Sequence, residues 1–286
     1  MNKPEFIAEV SSNHNQDLER SKKFIKTAAD IGCDGVKFQL FKIDKLFAPE
    51  ILRKSEKLRK RKNWELPIEF IPDLADYAHE LGIKFSCTPF YLEAVDILAP
   101  YVDFYKIASY ELLWGDLLEK VARINKPVVL STGMAILDEV VIAVNKLRKS
   151  GRENLTILQC VSGYPTPPSE VNLSAIDSLR QECKCDVGWS DHSVSPAVIY
   201  RAVHKWGASM IEFHLDLDGT GEEYKTGYCW LPEQIKTVIE TVRLGFKSDG
   251  TGEKVPTPSE LEDRGWRADP SDGLRPIKSI RDKYNG

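Results

Sequence analysis

No stretch of this 286-residue sequence stays apolar for the ~20 residues that a helix needs to cross a bilayer. No membrane partner is therefore expected. Charge of one sign is also missing: 39 basic residues stand against 43 acidic ones, a net charge of −4. That balance offers no basic footprint for nucleic acid. The six cysteines lack the spacing of a disulfide framework. Cys33, Cys87, Cys160 and Cys229 fall in or beside apolar elements, as reduced thiols of a cytoplasmic protein would. Cys183 and Cys185 are too close together for an ordinary bridge, and no neighbouring Cys or His pair completes a zinc site. The opening MNKPEFIAEV runs straight into a strand, so no signal peptide is expected. Absent too is the glycine-rich turn that follows the first strand of dinucleotide-binding sheets. Ser11, Ser12, Asn13, His14 and Asn15 stand there instead.

What is present is an alternation. Short apolar runs predict eight strands: Phe6–Val10, Gly35–Phe38, Lys84–Cys87, Phe104–Ile107, Val128–Leu130, Thr156–Leu158, Asp186–Trp189 and Met210–Phe213. Between them the apolar residues recur with helical period. Helices are predicted over Asp17–Ile31, Ile68–Leu81, Leu137–Leu147 and Pro196–Trp206, stopped by Gly32, Gly82, Gly151 and Gly207. The expected fold class is α/β: a (βα)8 barrel over residues 1–250, with a short irregular tail over 251–286. Such a barrel takes roughly 250 residues and gathers its active site at the C-terminal ends of its strands. Those ends carry Glu9, Lys37, Gln39, Thr88, Lys106, Ser109, Ser131, Cys160, Ser190, Asp191, His192 and His214.

Two stretches break the rhythm. The insertion 40–67 contains KSEKLRKRK, which reads either as a solvated helix face or as a lid or electrostatic guide for an anionic substrate. The tail holds Trp266, Arg267, Leu274 and Arg275 among turn residues, a composition suited to packing on the barrel or on a partner subunit.

Of five histidines, His79 and His204 lie on helices, whereas His192 and His214 end neighbouring strands. Adjacent strands lie about 4.8 Å apart, so these two imidazoles can share one divalent ion; the alternative is two unrelated polar residues. Lys37 and Lys106 sit inside apolar strands, where an ammonium is costly unless paired. They fit an anionic ligand, an internal carboxylate such as Glu9, or a Schiff-base nucleophile. With the hydroxyls of Thr88, Ser109, Ser131 and Ser190, they suit a small phosphate or carboxylate.

The segments Ile7-Ala8-Glu9 with Asn13-His14-Asn15, Val36-Lys37-Phe38-Gln39, Thr88-Pro89-Phe90, Tyr105-Lys106-Ile107-Ala108-Ser109, Leu130-Ser131-Thr132-Gly133-Met134, Tyr164-Pro165-Thr166-Pro167, Gly188-Trp189-Ser190-Asp191-His192-Ser193 and Ile211-Glu212-Phe213-His214 resemble the sialic acid synthase family in order and spacing. The resemblance covers about residues 5 to 245. It implies condensation of phosphoenolpyruvate with an open-chain aldose, N-acetylmannosamine or a related modified sugar, to give a 2-keto-3-deoxy sugar acid and phosphate. It implies a divalent metal, manganese or else magnesium or cobalt, on His192 and His214. It places phosphoenolpyruvate near Lys37, Thr88, Lys106, Ser109, Ser131 and Ser190, the sugar near Gln39 and Tyr164, and an acid, Glu9, in the pocket.

The acceptor side departs from the family. Ser162 stands where members often have Asn. Gly221-Glu222-Glu223-Tyr224-Lys225 replaces a Gly-Pro-Asp stretch whose acid touches the sugar, which leaves Glu223 as the candidate. Members usually continue into a small domain resembling antifreeze proteins, which reaches across a dimer with an arginine for the partner's sugar site. Residues 251–286 are not expected to form it; either Arg267 or Arg275 replaces that contact, or the tail only plugs the barrel's N-terminal end or joins a dimer. A homodimer or higher homo-oligomer is expected. The competing readings are a Schiff-base aldolase or a two-histidine metal hydrolase on the same fold, and a non-catalytic sugar-binding barrel.

Overall fold

The computed structural model describes residues 3–284. Eight parallel strands close on themselves: β1 (Glu5–Glu9), β2 (Gly35–Leu40), β3 (Lys84–Pro89), β4 (Phe104–Ile107), β5 (Val128–Ser131), β6 (Leu155–Cys160), β7 (Asp186–Asp191) and β8 (Met210–Leu215). Closure is made by β1, which pairs with β2 on one side and β8 on the other, Glu9 lying level with both Lys37 and His214. A two-residue strand, β9 (Cys229–Trp230), adds to β8 in parallel at His214 and Leu215. The expected (βα)8 barrel is thus the observed one, its strand limits shifted by a residue or two.

The sequence explains the layering. Ile7, Phe104, Val129, Leu158 and Met210 form a buried apolar cluster within the barrel. Side chains two residues apart on a strand share a face and stand about 6.6 Å apart along it. Two residues beyond each cluster member come Glu9, Lys106, Ser131, Cys160 and Glu212. The apolar layer is therefore the floor of a polar chamber at the strands' C-terminal ends. On the outer face Phe6, Phe38, Phe85 and Phe213 are fully buried. Each contributes about 1.5–3 kcal/mol by that burial.

The helices follow their sequence signals. Leu18–Asp30 is capped by the Asp17 side chain, which accepts from the Arg20 amide, and it buries Phe24, Ile25 and Ala28. Ile71–Glu80 carries Pro72 in its first turn, after a 3-10 turn over Ile68–Phe70. Leu137–Lys149 and Pro196–His204 complete the expected set. Gly32, Gly82, Gly151 and Gly207 all have positive φ, between 63° and 98°, as left-handed helix stops require. Leu92–Leu98, Gly115–Arg123 and Ala175–Cys183 are helices that lack a glycine stop; the last ends on Lys184 at φ 51°. The insertion 40–67 is not a loop. It holds short helices at Ile43–Leu46, Pro49–Lys54 and Glu56–Lys60 and a 3-10 turn at Arg61–Trp64.

The chain divides into two compact units, Met1–Leu244 and Gly245–Gly286. Within the second, Asp269 accepts from Ser271 and from the Lys278 amide, Arg281 makes a two-pronged contact with Asp272, and the Trp266 and Tyr284 rings meet at 5.9 Å. Among the described residues no helix is long and apolar enough to cross a membrane.

Candidate active site

Two buried lysines organise the chamber floor. The Lys37 ammonium is ion-paired with Glu9 and donates to the Thr88 hydroxyl at 3.2 Å. Lys106 lies 3.3 Å from Glu212, whose other oxygen is 3.9 Å from Lys37. The Ser190 hydroxyl donates to Glu212 at 3.3 Å. Glu212 is thus a single carboxylate strung between two ammonium groups. Burial disfavours its charge, but Lys106 and Lys37 prevail and hold its carboxyl well below the usual range. Burial pushes Lys37 down to about 8, opposed by Glu212 and reinforced by the like charge of Lys106. The internal-carboxylate reading of the lysines is therefore correct as geometry. It extends to Glu212, which the motif Ile211-Glu212-Phe213-His214 contained without being singled out. The signal was available, since an acid alternating with Ile211 and Phe213 must face inward with His214.

Above the lysines, hydroxyls crowd one side. The Ser109 hydroxyl accepts from the Gly133 amide at 2.9 Å. A Cβ on Gly133 would come within 2.3 Å of the Ser162 hydroxyl, so only glycine lets these groups meet. The Ser131 and Ser162 hydroxyls are buried with no hydrogen-bond partner among the described residues. Leaving such groups unmade costs about 1–3 kcal/mol each, which marks a place built for an oxygen-rich ligand. Beside them Glu111 is buried, and burial lifts its carboxyl to about 7. The sequence marks Ser162 only as a departure on the acceptor side, and it does not mark Glu111.

Glu9 also accepts from the Gln39 amide at 3.0 Å and from the Ser11 backbone at 2.7 Å. Gln39 is thereby fixed beside the lysine pair.

The histidines stand at the ends of β7 and β8. Strands β7 and β8 pair directly, and the His192 and His214 rings lie 5.4 Å apart. Nδ1 of His192 faces the Val161 carbonyl at 2.8 Å. Nδ1 of His214 faces a Glu223 carboxylate oxygen at 2.9 Å. Both partners are acceptors, so each Nδ1 carries a proton and Nε2 is the ring atom that a ligand would meet. That outer-shell arrangement is how metal-binding histidines are commonly oriented. Burial lowers the His214 pKa despite Glu223. Burial also disfavours the charged form of His192, but Cys160, the Val161 carbonyl and Asp191 outweigh it and raise the pKa. A second grouping also exists: donor atoms of His214, Glu223 and Cys229 all lie within 4.8 Å of one another.

Tyr164 packs on His192 at 4.3 Å between ring centroids, and Tyr228 stands 5.1 Å from His214. Glu223 is tied to Ser11. The loop behind His192 hangs on Asp191, which accepts from the indoles of Trp189 and Trp230 and from Ser193 and the Val194 amide. The sequence marks Asp191 as a strand-end residue and Cys229 as a reduced thiol, and it gives no role to Tyr228. Thus Glu9, Lys37, Gln39, Thr88, Lys106, Ser109, Ser131, Tyr164, Ser190, His192, His214 and Glu223 all belong to the barrel unit, and the contacts above join all of them but Ser109 and Ser131. Arg267 and Arg275 belong to the second unit, where the Arg267 Nε donates to the Arg264 carbonyl.

A NeuB family model matches residues 24–254. An N,N'-diacetyllegionaminic acid synthase of Campylobacter jejuni is 38% identical over 275 residues, covering 91% of this chain and 81% of the relative. A pseudaminic acid synthase of Helicobacter pylori is 30% identical over 276 residues, 93% of this chain and 81% of the relative. The crystal structure of an N-acetylneuraminic acid synthetase from Leptospira borgpetersenii, in complex with citrate, superposes with a TM-score of 0.80 at 30% identity, covering 92% of this chain and 90% of that one.

Proposed function

The chain belongs to the NeuB family, and on that premise we propose that it condenses phosphoenolpyruvate with an open-chain aldose to give a 2-keto-3-deoxy nonulosonate and phosphate. The observation that carries this reading is the pair of buried lysines in a barrel that also holds the buried, unpartnered hydroxyls of Ser131 and Ser162.

Phosphoenolpyruvate is small and multiply anionic. Lys37 and Lys106 neutralise it, and Thr88, Ser109, Ser131 and Ser190 donate to its oxygens. Glu212 pairs with both lysines and sets their spacing. Glu9 holds Lys37 and orients Gln39 toward the sugar. In the reaction, carbon 3 of the enol phosphate bonds to the aldehyde carbon, water adds at carbon 2, and the carbon–oxygen bond to phosphate breaks. The lysines and hydroxyls meet the charge that grows on the departing phosphate, where preorganised donors are most effective. Nε2 of His192 and Nε2 of His214 would hold a divalent cation, manganese by resemblance and magnesium or cobalt as alternatives. When bound, it polarises the aldehyde oxygen as a Lewis acid. Tyr164 and Glu223 line the acceptor side beside these histidines. The reading includes a homo-oligomer in the cytoplasm, a setting suited to six free cysteines.

The test is phosphate release from phosphoenolpyruvate with manganese and a panel of N-acylated aldoses. Release is expected only when all three are present. His192→Ala and His214→Ala are each expected to lower it at least about 100-fold, as loss of a Lewis acid should. Full turnover in a chelator, or a borohydride-trapped pyruvate adduct on Lys37 or Lys106, would sink the reading; the adduct would favour a Schiff-base aldolase.

A further inference from the structure

The basic insertion carries one guanidinium, that of Arg61, whose Nε finds no hydrogen-bond partner among the described residues. Seven basic residues and one acid fall between Arg53 and Lys62, in a chain whose net charge is −4. Most of these cations are exposed. Arg61 is not: it is partly covered, and its Nε is buried with no hydrogen-bond partner among the described residues. Its guanidinium lies over the Trp64 ring, 4.9 Å from the centroid. Such stacking fixes the plane of the fork and leaves its N–H edge free to bind.

The turn that carries Arg61 is pinned to the barrel mouth. The Gln16 side chain donates to the Lys62 and Glu65 carbonyls at 3.2 and 2.9 Å. Gln16 follows the Ser11–Asn15 loop, where Ser11 holds Glu223 and the Asn13 amide donates to the Leu215 carbonyl at the end of β8. Arg61 is close enough to Tyr228 to act on its phenol electrostatically, and Tyr228 is the ring beside His214. From the histidine pair outward, the contacts therefore run through Glu223, Ser11 and the loop ending in Gln16 to the turn that carries this half-buried guanidinium.

We propose that Arg61 is the far end of the acceptor subsite and receives an oxyanion, phosphate or carboxylate, carried by the aldose at the end remote from its aldehyde. This rests on the condensation proposed above, which places the aldehyde at His192 and His214. An arginine fork binds such a group with two parallel hydrogen bonds. The surrounding basic stretch raises the encounter rate for an anion in an otherwise acidic protein. Arg61 thus makes the enzyme selective for charged over neutral acceptors.

The experiment is calorimetric titration of the manganese-loaded, full-length protein with phosphoenolpyruvate present. The probes are three alditols, which lack the aldehyde and cannot react: N-acetylmannosaminitol, its 6-phosphate and the corresponding 6-carboxylate. The wild type is expected to bind at least one anionic alditol about tenfold or more tighter than the neutral one, the scale of one charge-assisted pair. Arg61→Met, which keeps the stem, is expected to erase that preference, and Arg61→Lys to retain part of it. Both variants should hold phosphoenolpyruvate within about twofold of wild type, which also reports that they are folded. The tighter of the two anionic probes identifies phosphate or carboxylate as the group. Equal affinity of the wild type for all three probes, failure to bind any of them, or a preference that survives Arg61→Met would overturn the proposal. Failure of the wild type to bind phosphoenolpyruvate at all would instead count against the parent reading.

Discussion

Lys37 faces two acids, Glu9 and Glu212, and one like charge, Lys106, with almost no water around it. Burial is the strongest influence and brings its pKa down to about 8. The sign of the consequence is fixed. An unfolded lysine titrates near about 10.4, so between about 8 and about 10.4 the unfolded chain binds a proton that the folded one has lost. Through that window this group makes folding more favourable as pH rises, because a charge that is costly to bury is no longer present. Donor binding runs the other way, since it needs the ammonium. The dissociation constant for phosphoenolpyruvate is expected to be flat near neutrality and to rise by about tenfold per pH unit above the lysine's pKa. Titration calorimetry from pH 6.5 to 9.5 measures this, with Lys37→Gln as the control that binds weakly at every pH. A flat profile through pH 9.5 in the wild type would show that Lys37 stays charged.

Strand ends, rather than whole strands, decide the chemistry, and the ends of β7 and β9 are locked by one acid. Asp191 is fully buried and accepts from two indoles, a hydroxyl and a backbone amide. The bond to Val194 holds a β-branched residue at φ 50°, a conformation such residues rarely adopt. Asp191→Ala leaves buried donors unmatched and should cost about 3 kcal/mol or more, since bonds to charged groups contribute about 1.5–3 kcal/mol each. Urea unfolding measures the loss, and a midpoint equal to wild type would show that the loop is held by other means. The variant should also lose manganese affinity, because His192 follows directly. At this scale the sequence was legible where period and punctuation agree: Gly32, Gly82, Gly151 and Gly207 stop their helices as read. Lys184 stops another without announcing itself, because a left-handed lysine has no sequence signature. Lys37 and Lys106 stood out as charges in apolar strands, whereas Glu212, equally out of place, was overshadowed by His214 two residues on. Arg61 was hidden differently. Among seven basic residues in one short stretch nothing local distinguishes the one that folds over a tryptophan.

At the scale of the whole molecule, two sources of positive charge could serve the acceptor, and they make different demands on it. Arg61 belongs to the barrel unit and lies near Tyr228. Arg267 and Arg275 belong to the second unit, whose own contacts, such as Asp272 with Arg281 and Trp266 with Tyr284, do not require them as ion-pair partners. The expectation for the tail is a contact that replaces an arginine reaching the sugar itself, which every acceptor would feel, charged or neutral. The expectation for Arg61 is a contact felt only by an anionic group. Steady-state kinetics separate them. If the tail supplies the sugar contact, Arg267→Ala or Arg275→Ala raises the Michaelis constant for neutral and anionic aldoses alike by about tenfold, the usual effect of losing one hydrogen bond to a charged group. The constant for phosphoenolpyruvate should stay near wild type, because Lys37, Lys106 and their hydroxyl partners all belong to the barrel unit. Arg61→Met instead changes only the anionic acceptor. Unchanged kinetics for both tail variants would leave the tail a structural element, with the acceptor read entirely by residues on the barrel.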